Sequence, residues 1–428
     1  MKKVLIISYS YPPSNVPSAQ RPYALAKYLN KDKYQVYVAT CSNPESALGF
    51  NDKFNPELNG VKLIKIKSWI GSSMGLIRPQ VSVTGNKNAI FQFKRILLKG
   101  ASKLLFPDKA IFWFYNAHKE VKRICAEKNI DVVFTTSPMI TNHLLGLYIK
   151  KVFRKIHWVA DFRDFYFVAN NKAQSGFKLR LKRSLENRII SNCDKASFIS
   201  SEMCELYKAH YTSQAPKMET IYNGIDKEDF EHLPIKRLKE KKLIIFYAGS
   251  FYNGIRSPFP LLSMLDNLSD QGIIDLNNIS IRIAGNMDQD TIDHTQQFKS
   301  SFCITYLGKI PRAKVLEEMV RSSILWLIVG NDITHYTGVP IKFYEYLAAR
   351  RPILNFAPSI SEPSKIILQY KLGWSINTLP FNQEKGMEVM KNIINSWFST
   401  SFADPLPYSE LQIFDREHQA TIFEELFE

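Results

Sequence analysis

Asn223-Gly224-Ile225-Asp226 is the stretch at which this chain changes over. Upstream of it, short β-branched or aromatic runs recur at 4–8, 34–39, 61–66, 131–136, 157–161 and 195–200, each followed by a helical stretch. Downstream come the charged residues 227–242, with Pro234 and little apolar material, and then a second series at 243–248, 279–284, 304–307, 324–329 and 353–356. Near-continuous apolar runs belong to strands buried on both faces, and strands alternating with helices form parallel sheets. The pattern predicts an α/β protein of two doubly wound, Rossmann-like domains, the first over 1–226 and the second over 243–408, with 227–242 as linker. Residues 409–428 carry a helical pattern and are expected to return as a terminal helix bracing the first domain; packing on the second domain alone is the alternative.

Composition narrows the class further. With 428 residues, 45% of them hydrophobic, the chain has material for two ordinary cores. Its longest apolar runs, such as Val4-Leu5-Ile6-Ile7, are strand-sized and fall far short of the roughly 18 to 20 residues of a membrane span. The opening Met1-Lys2-Lys3 has the charge of a signal peptide, but the apolar run behind it is too short and no small-residue cleavage site follows, so it reads as a buried first strand. Cys41, Cys125, Cys193, Cys204 and Cys303 form an odd, scattered set that signals neither a disulfide framework nor a zinc site, which makes the cytoplasm the expected compartment. The net charge of +16 is unevenly spread: residues 1–225 hold 35 Lys and Arg against 15 Asp and Glu, a surplus of 20, and the remainder is short by 4. Such asymmetry suits an anionic partner of the first half, though a basic surface that merely aids solubility has the same composition. Nucleic acid is not the expected partner, because no helix-turn-helix, zinc finger or aromatic RNA-binding signature appears.

In an open parallel sheet, ligands bind beyond the carboxyl ends of strands, where helix N-termini favour anions. The most informative such segment is Thr337-Gly338-Val339-Pro340-Ile341-Lys342-Phe343-Tyr344-Glu345. Pro340 suits a helix start, Gly338 lets backbone approach a ligand, and Lys342 adds a cation where the helix already favours a diphosphate. Glu345 follows on nearly the same face, where its carboxylate can accept from both hydroxyls of a ribose. A surface Lys and Glu pair would look the same in isolation. Gly249 and Ser250 open a second loop that ends at Arg256, whose guanidinium can fork onto phosphate oxygens; capping of loop carbonyls is its alternative role. Gly285-Asn286 and Gly308-Lys309-Ile310 are strand-end loops able to hold a base through backbone groups.

The first domain opens on Tyr11-Pro12-Pro13-Ser14-Asn15, which has Pro and Ser where a dinucleotide loop would show spaced glycines, so nicotinamide and flavin are disfavoured and no cofactor is expected. Asp161-Phe162-Arg163-Asp164 brings two carboxylates and a guanidinium to a strand end, a place to orient an acceptor hydroxyl or, equally, a structural ion pair.

Taken in order, these segments resemble the family-four retaining glycosyltransferases of GT-B fold, of the bacterial cell-surface polysaccharide type. The resemblance spans nearly the whole chain and is carried by Tyr11-Pro12-Pro13 with Arg21, Pro107-Asp108 with Trp113, Thr136-Ser137-Pro138, Asp161-Phe162-Arg163-Asp164, Asn223-Gly224-Ile225-Asp226, the loop to Arg256, and the run from Gly338 to Ala349. It implies two domains facing a cleft that holds the transferred sugar, a nucleotide diphosphate sugar as donor, Arg256 and Lys342 on the diphosphate, and Glu345 on the ribose. The donor site would also include Gly249, Ser250, Gly308, Lys309, Ile310, Thr337 and Gly338. Ser14, Asn15, Arg21 and Arg163 would line the acceptor side, where Asp161 and Asp164 position the acceptor. It further implies transfer with retention, without a bound metal and without an enzymic nucleophile, the leaving phosphate helping to take the acceptor proton. One departure stands out: the family commonly has a second glutamate eight positions before the ribose-binding one, and here that position is Thr337. A nucleotide-sugar epimerase of the same fold and a non-catalytic sugar-nucleotide-binding protein are the other readings.

The acceptor expected is a polyprenyl-diphosphate-linked glycan, reached by peripheral docking on the inner face of the cell membrane. Between 89 and 106 the sequence interleaves Phe91, Phe93, Ile96, Leu97, Leu98, Leu104 and Leu105 with Lys94, Arg95, Lys99 and Lys103, as an interfacial amphipathic helix does. The basic run from Lys178 to Arg188 adds to an anion-facing patch. A helix packed on the sheet with its charges in water has the same pattern.

Overall fold

A computed structural model describes residues 1–14, 16–43, 57–69, 105–168, 176–233, 242–251, 256–400 and 408–428. Asn15 and most of the amphipathic segment expected at 89–106 lie outside the described residues. The chain forms two compact units, one of Met1–Tyr222 with Arg416–Glu428 and one of Asn223–Asp415.

The first unit is a parallel sheet of β1 (Lys2–Ser8), β2 (Tyr34–Cys41), β3 (Val61–Ile66), β4 (Val132–Thr136), β5 (His157–Phe162), β6 (Lys195–Phe198) and β7 (Met218–Thr220). Its order is β3-β2-β1-β4-β5-β6-β7, so the chain reverses its winding between β1 and β4. The central strand explains itself: Val4, Leu5, Ile6 and Ile7 are all fully buried, as a strand covered by helices on both faces must be. The helices are α1 (Pro17–Tyr28), α2 (Ile111–Lys128), α3 (Ile140–Val152), α4 (Phe177–Asn192) and α5 (Ser201–His210). Gly146 of α3 faces Trp158 of β5, and a Cβ there would fall 2.4 Å from the indole, so the glycine sets how closely helix and sheet approach.

In the second unit the strands are β8 (Leu243–Ala248), β9 (Ile279–Ala284), β10 (Ile304–Gly308), β11 (Ile324–Ile328), β12 (Ile353–Ala357) and β13 (Gly373–Asn377). They are parallel in the order β10-β9-β8-β11-β12-β13, with the reversal between β8 and β11. Around them lie α6 (Phe259–Asp270), α7 (Gln289–Thr295), α8 (Arg312–Arg321), α9 (Ile333–Tyr336), α10 (Ile341–Ala349), α11 (Glu362–Gln369) and α12 (Gln383–Thr400).

The terminal helix α13 (Arg416–Leu426) joins the first unit. Its Phe423 and the following Phe427 pack on Phe134 with ring centroids 5.2 and 6.3 Å away, inside a cluster that includes Val4, Ile6 and Val132. Polar contacts fix the helix as well: the Asn30 amide donates to Glu424 Oε1 at 2.8 Å and Arg416 donates to Gln20 at 2.7 Å. Residues 223–233 group with the second unit, where the Ile225 amide donates to the Phe414 carbonyl at 2.7 Å and Lys227 pairs with Asp415. The seam in the structure thus falls at Tyr222, a few residues ahead of the composition change, because backbone pairing rather than charge content ties Ile225 to the second unit. Among the described residues no helix is long and apolar enough to cross a membrane.

Candidate active site

The carboxyl edge of the second sheet is built on glycine. The Gly249 amide donates to the Ala284 carbonyl at 2.7 Å and the Gly285 amide to the Gly308 carbonyl at 2.8 Å, which laces the ends of β8, β9 and β10 together. At Gly285, with φ +151°, a Cβ would sit 1.9 Å from the Gly249 carbonyl oxygen, so only glycine permits this approach. Ser250 continues the lacing, its Oγ accepting from the Asn286 amide at 3.3 Å.

Into this edge projects Lys342 from the first turn of α10. Its ammonium is buried and has no hydrogen-bond partner among the described residues. It lies 4.2 Å from the centroid of the Tyr247 ring, which is itself stacked on Phe251 at 4.5 Å. A Cβ on Gly249 would come within 2.5 Å of Nζ, so the absence of a side chain there makes room for the cation. Burial, and next the charge of Arg256, push the Lys342 amine down to about 7, against an opposing pull from Glu345. Three residues expected on the basis of sequence, Gly249, Arg256 and Lys342, are therefore neighbours, and two of them are cations held close enough to repel. Such an arrangement is unfavourable unless an anion joins it.

Glu345, one turn further along α10, is only partly exposed and its Oε1 accepts from Arg312 at 2.8 Å. Arg312 also pairs with Asp229 at 2.8 Å. Neither Arg312 nor Asp229 was marked by the sequence, since each lies far from Glu345 in the chain and in no recognisable motif. Tyr247 went unmarked because it reads as one more residue of a buried strand. Gly308, at φ +64°, ends β10; Lys309 beyond it is exposed and Ile310 half-buried. Thr337 is buried and its hydroxyl donates back to the Ile333 carbonyl within α9 and its cap, so it does not stand in for a carboxylate. Gly338 has open space around its Cα, with two carbonyl oxygens 4.0 Å from where a Cβ would lie.

Beside this cradle is a pocket of ≈650 Å³ whose walls include Ser257, Ile328, Asn331, His335, Phe356 and Thr378. It adjoins Arg256 through Ser257 and the 337–342 segment through His335, whose buried Nδ1 has no partner among the described residues. Its size suits a small-molecule ligand.

In the first unit, the residues expected on the acceptor side have a different character. Asp161 is fully buried and accepts four bonds: from Arg21 Nε at 3.0 Å and NH2 at 2.9 Å, from Thr136 at 2.7 Å and from Ser197 at 2.7 Å. Burial alone would raise this carboxyl, but Arg21 and the two hydroxyls together hold it below the usual carboxylate range. Each Asp161 oxygen accepts two bonds, and Arg21 also donates to the carbonyls of Ile221 and Tyr222. This pair locks the ends of β4, β5, β6 and β7 together, with four bonds converging on the Asp161 carboxylate. Arg163 donates to the carbonyls of Ser18 and Pro17 at 2.9 and 3.3 Å, and burial pushes its guanidinium down to about 10. Asp164 is exposed. Ser14 is buried and its Oγ lacks a partner among the described residues.

These two parallel α/β domains have the fold of the GT-B glycosyltransferases. A glycosyltransferase from Rickettsia africae is similar over 100% of this chain and 97% of its own, with 14% identity and a TM-score of 0.61. An α,α-trehalose-phosphate synthase (UDP-forming) from Burkholderia xenovorans, in complex with glucose-6-phosphate, covers 99% of each chain at 9% identity and a TM-score of 0.62. A trehalose-6-phosphate structure from E. coli, bound with UDP-2-fluoro glucose, covers 100% and 99% at 10% identity and a TM-score of 0.56. At these identities the likeness is one of fold. In sequence, residues 19–229 match the model of Glycosyltransferase Family 4, a span that takes in most of the first unit. No curated protein matches the chain.

Proposed function

We propose that this protein is a family-four glycosyltransferase that moves a sugar from a nucleotide diphosphate donor to a hydroxyl acceptor with retention. The observation that carries the reading is the buried, unpartnered Lys342 ammonium facing Gly249 with Arg256 nearby. Two cations beside a helix start and a glycine edge are what a departing diphosphate requires, because they neutralise charge that grows as the glycosidic bond breaks. Glu345 takes the ribose hydroxyls, Gly308 to Ile310 the base, and the pocket next to Arg256 and His335 the donor's sugar. Thr337 leaves that sugar without the second glutamate's carboxylate, and the polar residues of the pocket wall that could meet it include Asp332 and His335. No enzymic nucleophile is assigned: the acceptor hydroxyl attacks from the face the diphosphate leaves, and a phosphate oxygen takes its proton.

A lipid-linked glycan on the cytoplasmic side of the membrane fits the charge of the first half of the chain. On α4, Arg180, Arg183 and Arg188 are exposed while Leu185, Glu186, Ile189 and Ile190 are buried, so that helix presents its cations outward. The test is NMR analysis of the product formed from a nucleotide sugar and a polyprenyl-diphosphate-linked glycan. A new glycosidic bond with the donor's anomeric configuration is expected. An inverted bond would overturn retention, and donor isomerised without any acceptor would favour the epimerase.

A further inference from the structure

Glu345 is poorly placed to aim itself. Its side chain is 24% exposed, and a glutamate so placed loses conformational freedom whenever it must hold two ligand hydroxyls at once. The structure supplies what its own helix does not. Arg312 NH2 donates to Glu345 Oε1 at 2.8 Å and lies 2.8 Å from Asp229 Oδ2, so one guanidinium nitrogen sits between two carboxylates. Asp229 is 6% exposed, which gives this line of charges a fixed inner end in the turn Lys227–Asp229 at the start of the second unit. Arg312 itself is the first residue of α8, directly after the Gly308-Lys309-Ile310-Pro311 loop.

We propose that Arg312, anchored by Asp229, is a positioning residue that sets the Glu345 carboxylate for a ribose diol and thereby makes the site select ribonucleotides over deoxyribonucleotides. The proposal rests on the reading of Glu345 as the ribose contact. One bond from Arg312 occupies a single lone pair of Oε1, and Oε2 with the remaining lone pair of Oε1 stays available to the 2′ and 3′ hydroxyls. Removing the guanidinium would do more than free a rotamer. Two carboxylates that now share one nitrogen would repel, turning Glu345 away from its present direction.

Calorimetric titration tests this, using whichever of UDP, GDP and ADP binds the parent protein best, its 2′-deoxy counterpart, and inorganic pyrophosphate. The parent should prefer the ribose form by about tenfold or more, as expected for a charge-assisted hydrogen bond. Glu345→Gln, Arg312→Ala and Asp229→Asn should each bring the ratio toward one, with Arg312→Lys restoring part of it. Pyrophosphate, held by Arg256 and Lys342, should bind all four variants as it binds the parent, which separates loss of aim from loss of fold. Should Arg312→Ala not fold, Asp229→Asn and Arg312→Lys carry the same comparison. If Glu345→Gln loses the preference while the Arg312 and Asp229 variants keep it in full, the positioning role is overturned and the ribose reading stands. If the parent binds none of the three nucleotides, or binds ribose and deoxyribose forms alike, the ribose reading fails and the proposal with it.

Discussion

Lys342 occupies a setting that costs stability. An amine with an ordinary value near 10.5 is held at about 7, first by burial and then by Arg256. The unfolded chain therefore binds more protons than the folded one between those values. The cost is full below pH 7 and is relieved as pH rises toward 10.5. Lys342→Met should accordingly stabilise the second unit at pH 7 or below by about 2 kcal/mol, within the range seen when buried charges give way to apolar side chains. That gain should shrink toward pH 10 in thermal melts, and the same variant should lose donor binding. A lysine of purely structural value would give the opposite result, a less stable variant. In the parent, donor affinity should fall as pH rises above about 7, because the free amine must regain its proton to meet the diphosphate. The nearness of Lys342 and Glu345 was legible in the sequence because their spacing after Pro340 places a cation and a carboxylate on one helix face. Arg312 was not, since its two partners are joined to it only by the fold. The bonding of Asp161 was hidden for a related reason: four donors from Arg21, Thr136 and Ser197 converge on it from separate elements, and the sequence around it shows only an Asp beside an Arg.

Helix α4 shows how one element carries both a surface and a lock. Its outward side holds the cations, while Glu186 on its inner side accepts from the hydroxyls of Tyr207 and Tyr211 and from the Phe167 amide, all at 2.9 Å. These bonds tie the segment after β5 to α4 and to the end of α5. Burial pushes the Glu186 carboxyl up to about 7 even though the hydrogen bonds from Tyr211, Tyr207, Phe167 and Val168 pull it down. The folded state thus binds an extra proton between pH 4.5 and 7, and the stability this gives is lost as pH rises through 7. Glu186→Gln, which keeps an acceptor and discards the charge, should match the parent in denaturant unfolding at pH 4 and exceed it at pH 8 by up to about 3 kcal/mol. Equal stability at both values would show that the carboxyl is not desolvated as described. Two strands escaped the sequence: β7 is only Met218–Thr220, and β13 is a half-buried edge strand, Gly373-Trp374-Ser375-Ile376-Asn377, without the continuous apolar run that marked the others. Runs such as Val4 to Ile7 were legible because burial on both faces leaves no choice of residue type.

At the scale of the whole molecule, an N-terminal half with a surplus of 20 positive charges is joined in one chain to a second half short by 4. The proposed division of labour follows that asymmetry, with the anionic acceptor assigned to the first domain and the donor to the glycine-laced edge of the second. That the tail forms a helix was legible from its pattern, and its return to the first unit was expected from the two-domain fold, but its partners Phe134 and Asn30 were not legible, because aromatic packing across 289 positions between Phe134 and Phe423 leaves no local trace. The measurement that tests the account most directly is calorimetric titration of a panel of nucleotide diphosphate sugars against the parent, Arg256→Ala and Lys342→Ala. The account predicts that at least one donor saturates the parent and that each substitution weakens it by about tenfold or more, the cost of a lost charge-assisted contact. A donor that binds the parent and both variants with equal affinity, or a panel from which nothing binds the parent, would contradict it.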